Sequence, residues 1–169
     1  MSILTKIISI IALAILVSLP VSASSSISVL DFELNDVTSN PGGAEEAERT
    51  ASLQGLLKES LGAKGYRMVA TDPTAQAAAT KGFGYLWNHS DEAAAVGKNS
   101  GSEFVVVGRV HKPSFLFVYF MAHLVDTKTG NVVGDFIVEV KGQQQNFTAK
   151  GIESLARQID TRLQAITGS

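Results

Sequence analysis

The chain has 169 residues, 45% of them hydrophobic, a formal net charge of -2, three histidines and no cysteine. Without cysteine there are no disulfides, no thiolate metal site, no thiol nucleophile and no lipobox, so stability rests on packing. The 14 Lys and Arg residues form no cluster, which argues against nucleic acid or an anionic membrane as the main partner.

Residues 1–23 read as a secretory signal peptide. Lys6 precedes an apolar run over 7–17, Pro20 breaks it, and Val21-Ser22-Ala23 offers small residues to a signal peptidase. The run is too short to cross a bilayer comfortably. The expected organisation is a leader, 1–23, and a single α/β domain, 24–169. The mature domain is expected in the periplasm or secreted, with no stable membrane anchor once the leader is removed.

Residues 27–34 are β-branched and aliphatic on both faces of their first half, as suits an interior parallel strand. A turn-rich loop, NDVTSNPGG, follows over 35–43. From Glu45 a helix opens with acids in its first turn, lines one face with Leu53, Leu56, Leu57 and Leu61, and ends at Gly62 and Gly65. Residues 66–71 form a second strand. Asp72-Pro73-Thr74 starts a short alanine-rich helix over 74–81. The glycine- and aromatic-rich link 82–88 has no regular period.

Ser90-Asp91-Glu92 caps a helix over 91–99 that stops at Gly101. Residues 103–110 are a buried strand and 115–126 a long one. Lys128-Thr129-Gly130-Asn131 then turns a hairpin back through 132–141. After the polar connector 142–146, a last helix carries Ile152, Leu155, Ile159, Leu163 and Ile166 as an apolar stripe. The order β-α-β-(α)-α-β-β-β-α predicts an α/β fold with one mixed five-stranded sheet and packed helices. Helical crossovers make the first three strands parallel, and short turns make the last three an antiparallel meander.

Several words stand in this order: Ile27-Ser28-Val29-Leu30-Asp31-Phe32-Glu33, Gly65-Tyr66-Arg67-Met68-Val69, the stretch 101–110 (GSEFVVVGRV), and Leu124-Val125-Asp126-Thr127-Lys128-Thr129-Gly130. Together they resemble the amino-terminal domain of TolB and related TolB-like and CsgG-like modules of the bacterial envelope, across residues 27–166. More closely, the chain is similar to a family of small secreted bacterial proteins that carry this domain alone and have no assigned function. The resemblance implies a structural or protein-binding module, with no catalytic residues to carry over. The propeller of TolB and the anchoring cysteine of CsgG-type lipoproteins are missing, so translocation and channel functions do not transfer. Relatives are expected to carry cysteines near 86–90, where this chain has Leu86-Trp87-Asn88-His89-Ser90.

The residues offer little chemistry. His89, His111 and His123 lie on three elements without metal-ligand spacing, although His111 and His123 flank a hairpin and could face each other across it. No GxSxG serine is present, and Gly82-x-Gly84 lacks the third glycine of a dinucleotide loop. No enzyme, metal or cofactor is expected. Asp31 and Glu33, two apart and hence on one face of their strand, lie near Asp36, at the strand end where α/β proteins often hold ligands. They are candidate ligand-binding residues, although local backbone hydrogen bonds explain Asp31 as well.

The long strand is apolar on both sides. Val118, Phe120, Ala122 and Leu124 share one face, and Phe117, Tyr119, Met121, His123 and Val125 the other. Val105, Val107, Val133 and Ile137 extend the second face, flanked by Arg109, Asp135 and Glu139. Either helices cover both faces as ordinary core, or the second face is a docking surface. In the latter case Phe117, Tyr119 and Met121 are the partner-binding residues, with Trp87 of the aromatic link as the next choice. The favoured expectation is an exported, non-enzymatic module that binds an envelope protein or itself. The alternative is a periplasmic accessory protein that binds a small molecule or metal ion through Asp31, Glu33 and Asp36.

Overall fold

The central strand β4, Phe104–Lys112, is almost wholly buried, and the sheet is built outward from it. The computed structural model describes residues 24–141 and 145–168. Residues 1–23, read from the sequence as a leader, and residues 142–144 of the connector lie outside the described residues. The elements before β4 are β1 (Ser26–Val29), β2 (Glu33–Asp36), α1 (Ala44–Gly62), β3 (Arg67–Val69), α2 (Pro73–Ala79), α3 (Tyr85–Asn88) and α4 (Ser90–Asn99). After it come β5 (Phe117–Asp126), β6 (Val132–Lys141) and α5 (Gln145–Thr167).

The strands form one mixed sheet in the order β3-β1-β4-β5-β6, with β2 also on β4. β1 runs parallel to β3 and β4, and β4, β5 and β6 form the antiparallel meander. The architecture is the expected α/β one. Among the described residues the sheet has six strands rather than five, because the first predicted strand is broken. Val29 lies opposite Val106 and Glu33 opposite Arg109, so the first strand carries one residue more than β4 over that interval. This is a bulge in a parallel pair, and it exchanges the faces of every residue beyond it. Leu30 keeps its alternating place on the second face, while Phe32 turns to the first. The ring of Phe32 lies flat against Gly108, where a Cβ would stand 2.5 Å from three ring atoms.

On the first face, α1 contributes Leu53, Leu57 and Leu61, and α5 contributes Ile152, Leu155, Ile159 and Leu163. They pack on Ile27, Val29, Val106, Val110, Val118, Phe120, Leu124 and Val140. Each fully buried side chain of this kind adds about 1.5–3 kcal/mol. Gly151 lets α5 approach β6 closely, since a Cβ there would meet Val140 at 2.5 Å. Ile166, expected in the stripe, is 37% exposed at the helix end. Tyr66 donates to Asp160 Oδ1 at 2.7 Å, tying the entry to β3 to α5.

The second face is covered by α4 over Leu30, Val105, Val107 and Val125. The cap of α4 differs from expectation. His89, not Ser90, holds the N-cap position, and the Ser90 hydroxyl donates to the Gly130 carbonyl at 2.7 Å, fastening α4 to the hairpin turn. Asp72 does cap α2, accepting from the Thr74 N–H at 2.9 Å.

Where β2 leaves the sheet, Lys112 Nζ lies 3.4 Å from Asp36 and 3.0 Å from Glu46, all three side chains buried. Burial alone would push the Asp36 carboxyl up. Hydrogen bonds from Thr38 and Gly42 and the charge of Lys112 prevail and hold it down at about 2. The loop that looked formless in sequence is thus pinned by its first residues.

A Gly108→Val variant places methyl groups where the Phe32 ring sits. It should cost at least about 1–3 kcal/mol by overpacking, read as a lower urea midpoint. A Gly134→Val control also meets a ring, that of Phe136, but at the sheet edge, so it should cost less.

Candidate functional site

Beyond the reach of α4, the second face continues as rows of cross-strand neighbours. Val107, His123 and Asp135 form one row, and Arg109, Met121 and Ile137 the next. His111, Tyr119 and Glu139 form a third, and Phe117 pairs with Lys141 at the end. α3 covers only the first part of this run, through Trp87.

The position of α3 follows from its glycines. Gly84 adopts φ +75°, which an L side chain rarely takes. Its N–H donates to both Glu33 carboxylate oxygens, at 3.0 and 3.1 Å. Arg109 Nη2 donates to the same carboxylate at 3.1 Å. A Cβ on Gly84 would stand 3.0 Å from that guanidinium. The Arg109 guanidinium also lies 4.6 Å from the Trp87 ring centre and 5.1 Å from that of Phe83, within cation–π range of both. Trp87 stacks on His123 with centroids 3.7 Å apart. Burial, the largest influence, lowers the His123 pKa below 6.5. Arg109 reinforces this, while Asp135 and a hydrogen bond to the Trp87 backbone oppose it. His123 is therefore a neutral ring at neutral pH.

Past Trp87 the face is only half covered. Phe117, Tyr119 and Met121 are half-buried, and Ile137 is 55% exposed. Tyr119 stacks with His111 at 6.3 Å and meets Phe117 edge-on at 5.7 Å. Phe83 extends the apolar surface at 62% exposure. The two choices drawn from the sequence, the β5 residues and the aromatic link, therefore occupy one surface. Val133, expected on this face, packs with the first-face core instead, because a register shift between Leu124 and Val125 turns it over.

The three carboxylates separate. The bulge cancels the alternation that put Asp31 and Glu33 on one face. Asp31 is exposed, and its backbone N–H donates to Gln76 Oε1 at 3.0 Å. Asp31 and Glu33 do line one small cavity of about 170 Å³ with Gln76 and Thr80. Asp36 points to the other face, where Lys112 holds it. The histidines also stay apart, because His111 faces Tyr119 and His123 faces Val107. Among the described residues, no group of three His, Asp or Glu could hold a metal ion. Sequence reading assigned no role to Arg109 and none to the Glu33–Gly84 contact. The signal for both was present in the cation that interrupts the apolar run 104–110 and in Gly82-x-Gly84.

Residues 25–159 match the model of a protein family described as "Protein of unknown function (DUF2380)". The chain belongs to that family. No curated protein matches it in sequence. Solved structures share its fold, among them the following three. Lipoprotein GNA1162 from Neisseria meningitidis superposes with a TM-score of 0.54 at 15% identity, over 80% of this chain and 96% of its own. Escherichia coli LpoB gives 0.53 at 16% identity, over 70% of this chain but only 57% of its own. A PelC dodecamer from Paraburkholderia phytofirmans gives 0.51 at 15% identity, over 84% and 90%. At such identities the likeness is one of fold. TolB itself, from Acinetobacter baumannii, reaches only 0.47 over 29% of its length and carries no argument. Among the described residues no helix is long and apolar enough to cross a membrane.

Trp87 is the sole tryptophan, so its fluorescence reports the stack directly. With the folded His123 pKa below 6.5, the unfolded chain takes up the proton first as pH falls. Stability is therefore full above 6.5 and declines as pH drops towards the folded pKa. A His123→Phe variant keeps a ring against Trp87 and should remove both the pH-dependent fluorescence change and this part of the stability loss.

Proposed function

We propose that this protein is an exported, non-enzymatic module of the bacterial envelope that binds another protein or a second copy of itself. In this reading residues 1–23 are a cleaved leader and 24–169 a single working domain. Phe117, Tyr119 and Met121 form the contact surface, with Trp87 at its covered edge. The observation that carries the reading is the unfinished second face. α4 buries one end of it, while Tyr119, Met121 and the exposed Ile137 continue as apolar surface with no helix packed over them among the described residues. Large, half-buried aromatic and Met side chains next to an Arg are typical of binding hot spots. The fold lends support, since one protein sharing it is a lipoprotein and another forms a dodecamer.

A second reading rests on the cavity shared by Asp31, Glu33, Gln76 and Thr80. There the protein binds a small molecule or cation as an accessory of another system. Thermal shifts with divalent cations and common metabolites, repeated on Asp31→Asn, test it.

The first reading is tested by light scattering on the purified protein and by crosslinking in the envelope. The chain has no cysteine, so Met121→Cys offers a unique attachment point for a photocrosslinker, with Arg157→Cys on α5 as control. The expected result is a discrete adduct from residue 121 and none from residue 157. Tyr119→Glu combined with Met121→Glu should weaken that association about tenfold or more and leave the unfolding midpoint nearly unchanged. Equal labelling from both positions, or a monomer that forms no adduct, would sink the proposal.

A further inference from the structure

The first face holds a feature that the protein-binding reading does not use. Between α1 and the start of α5 lies a cavity of about 490 Å³, in the range of small-molecule sites. Two of its wall residues carry buried polar atoms without a partner. Arg49, with 9% of its side chain exposed, donates from Nε to Glu46 Oε1 at 2.8 Å, and its Nη2 is in ion-pair contact with the same oxygen. Among the described residues its Nη1 has no hydrogen-bond partner, and neither does the hydroxyl of Thr148, a residue only 3% exposed. Glu46 is shared between two cations, its other oxygen lying 3.0 Å from Lys112. Leaving a buried donor unpaired is costly, and more so when it is charged.

A carboxylate satisfies both atoms at once, pairing with the guanidinium and accepting from the hydroxyl. The rest of the wall adds two further preferences. Leu56 and Ala149 supply apolar contact, and Glu45 and Glu48 place exposed carboxylates at the rim. A simple anion would be repelled by that rim. A ligand that also carries an ammonium is favoured by it.

We propose that this cavity binds an aliphatic α-amino acid or a dipeptide of such residues. Its carboxylate meets Arg49 Nη1 and the Thr148 hydroxyl, its ammonium lies by Glu45 and Glu48, and its side chain packs on Leu56 and Ala149. Both orphaned atoms are closed to solvent in the ligand-free protein, so the carboxylate reaches them through a rotamer adjustment of the two side chains. The site lies on the face opposite Tyr119 and Met121, so it stands or falls independently of the docking surface.

The test is calorimetry and thermal shift on the full chain with four probes: L-leucine, leucyl-leucine, 4-methylpentanoate, which lacks the ammonium, and isoamylamine, which lacks the carboxylate. Leucine or its dipeptide should bind saturably and raise the melting temperature by mass action, and each truncated analogue should bind about tenfold or more weakly. Arg49→Lys should abolish binding, Thr148→Val should weaken it several-fold, and Glu48→Gln should erase the preference for leucine over 4-methylpentanoate. If Arg49→Lys does not fold, the other two variants decide, since neither removes a hydrogen bond present in the free protein. The proposal is overturned by no saturable binding of leucine or its dipeptide at millimolar concentration. Binding that ignores Thr148→Val and Glu48→Gln overturns it too, as does 4-methylpentanoate binding as tightly as leucine.

Discussion

The extra residue between β1 and β2 is the constraint on which both faces of this sheet depend. Up to Val29 the strand follows an ordinary alternation, with Ile27 and Val29 on the helix-covered first face. Past the bulge the alternation is inverted. Phe32 drops onto Gly108, Glu33 turns to Arg109 on the second face, and Asp36 turns to Lys112 on the first. A one-residue slip sends every later side chain to the opposite side of a sheet. Without the bulge, Glu33 would enter the apolar layer beneath α1, and Arg109 would lose its carboxylate. The anchor of α3 would go with it, because the Gly84 N–H donates to that same carboxylate.

Two charged clusters at one end of the sheet follow from this inversion, and they do different work. On the first face Lys112, Asp36, Glu46 and Arg49 form a buried, mutually compensated group that fixes the loop into α1. Such groups contribute little net stability but are costly to break singly, because the remaining charge stays buried. On the second face Arg109 is flanked by two aromatic rings and paired with Glu33. The guanidinium thereby brings an aromatic cover to a polar position that follows the apolar half of β4. His123 beneath Trp87 stays neutral for the same reason that the stack forms, namely exclusion of water. The helical cover ends there, and the half-buried row of Phe117, Tyr119 and Met121 begins.

Much of this fold was legible in the sequence, and the reasons are local. The leucines of α1 and the aliphatic stripe of α5 repeat at the helical period, and the hairpin turn around Gly130 carries its own signal. The meander follows from turn length alone. The bulge was not legible, because Leu30-Asp31-Phe32-Glu33 reads as plausible strand in either phase, and only pairing with β4 selects one. The cap of α4 was misplaced for a related reason. Ser90 has the right side chain, but the carbonyl of Gly130, forty residues away in sequence, competes for its hydroxyl. Of the residues singled out for partner binding, all four lie on one surface. Trp87 arrives there through contacts of Gly84 and Arg109 that no periodicity reports.

The inversion also sends Asp36 to the opposite face from Glu33, while Asp31 and Glu33 line one small cavity. Carboxylates do chemistry together when two of them share one pocket with shifted proton affinities. Here the chain spends Glu33 on positioning α3 and Asp36 on neutralising a buried lysine, on opposite sides of the sheet. Asp31 remains in the solvated break between the strands, with its backbone bound to Gln76. The polar residues of this sheet therefore hold the architecture in place, and they position the half-covered apolar rows on one side and the helix-lined cavity on the other.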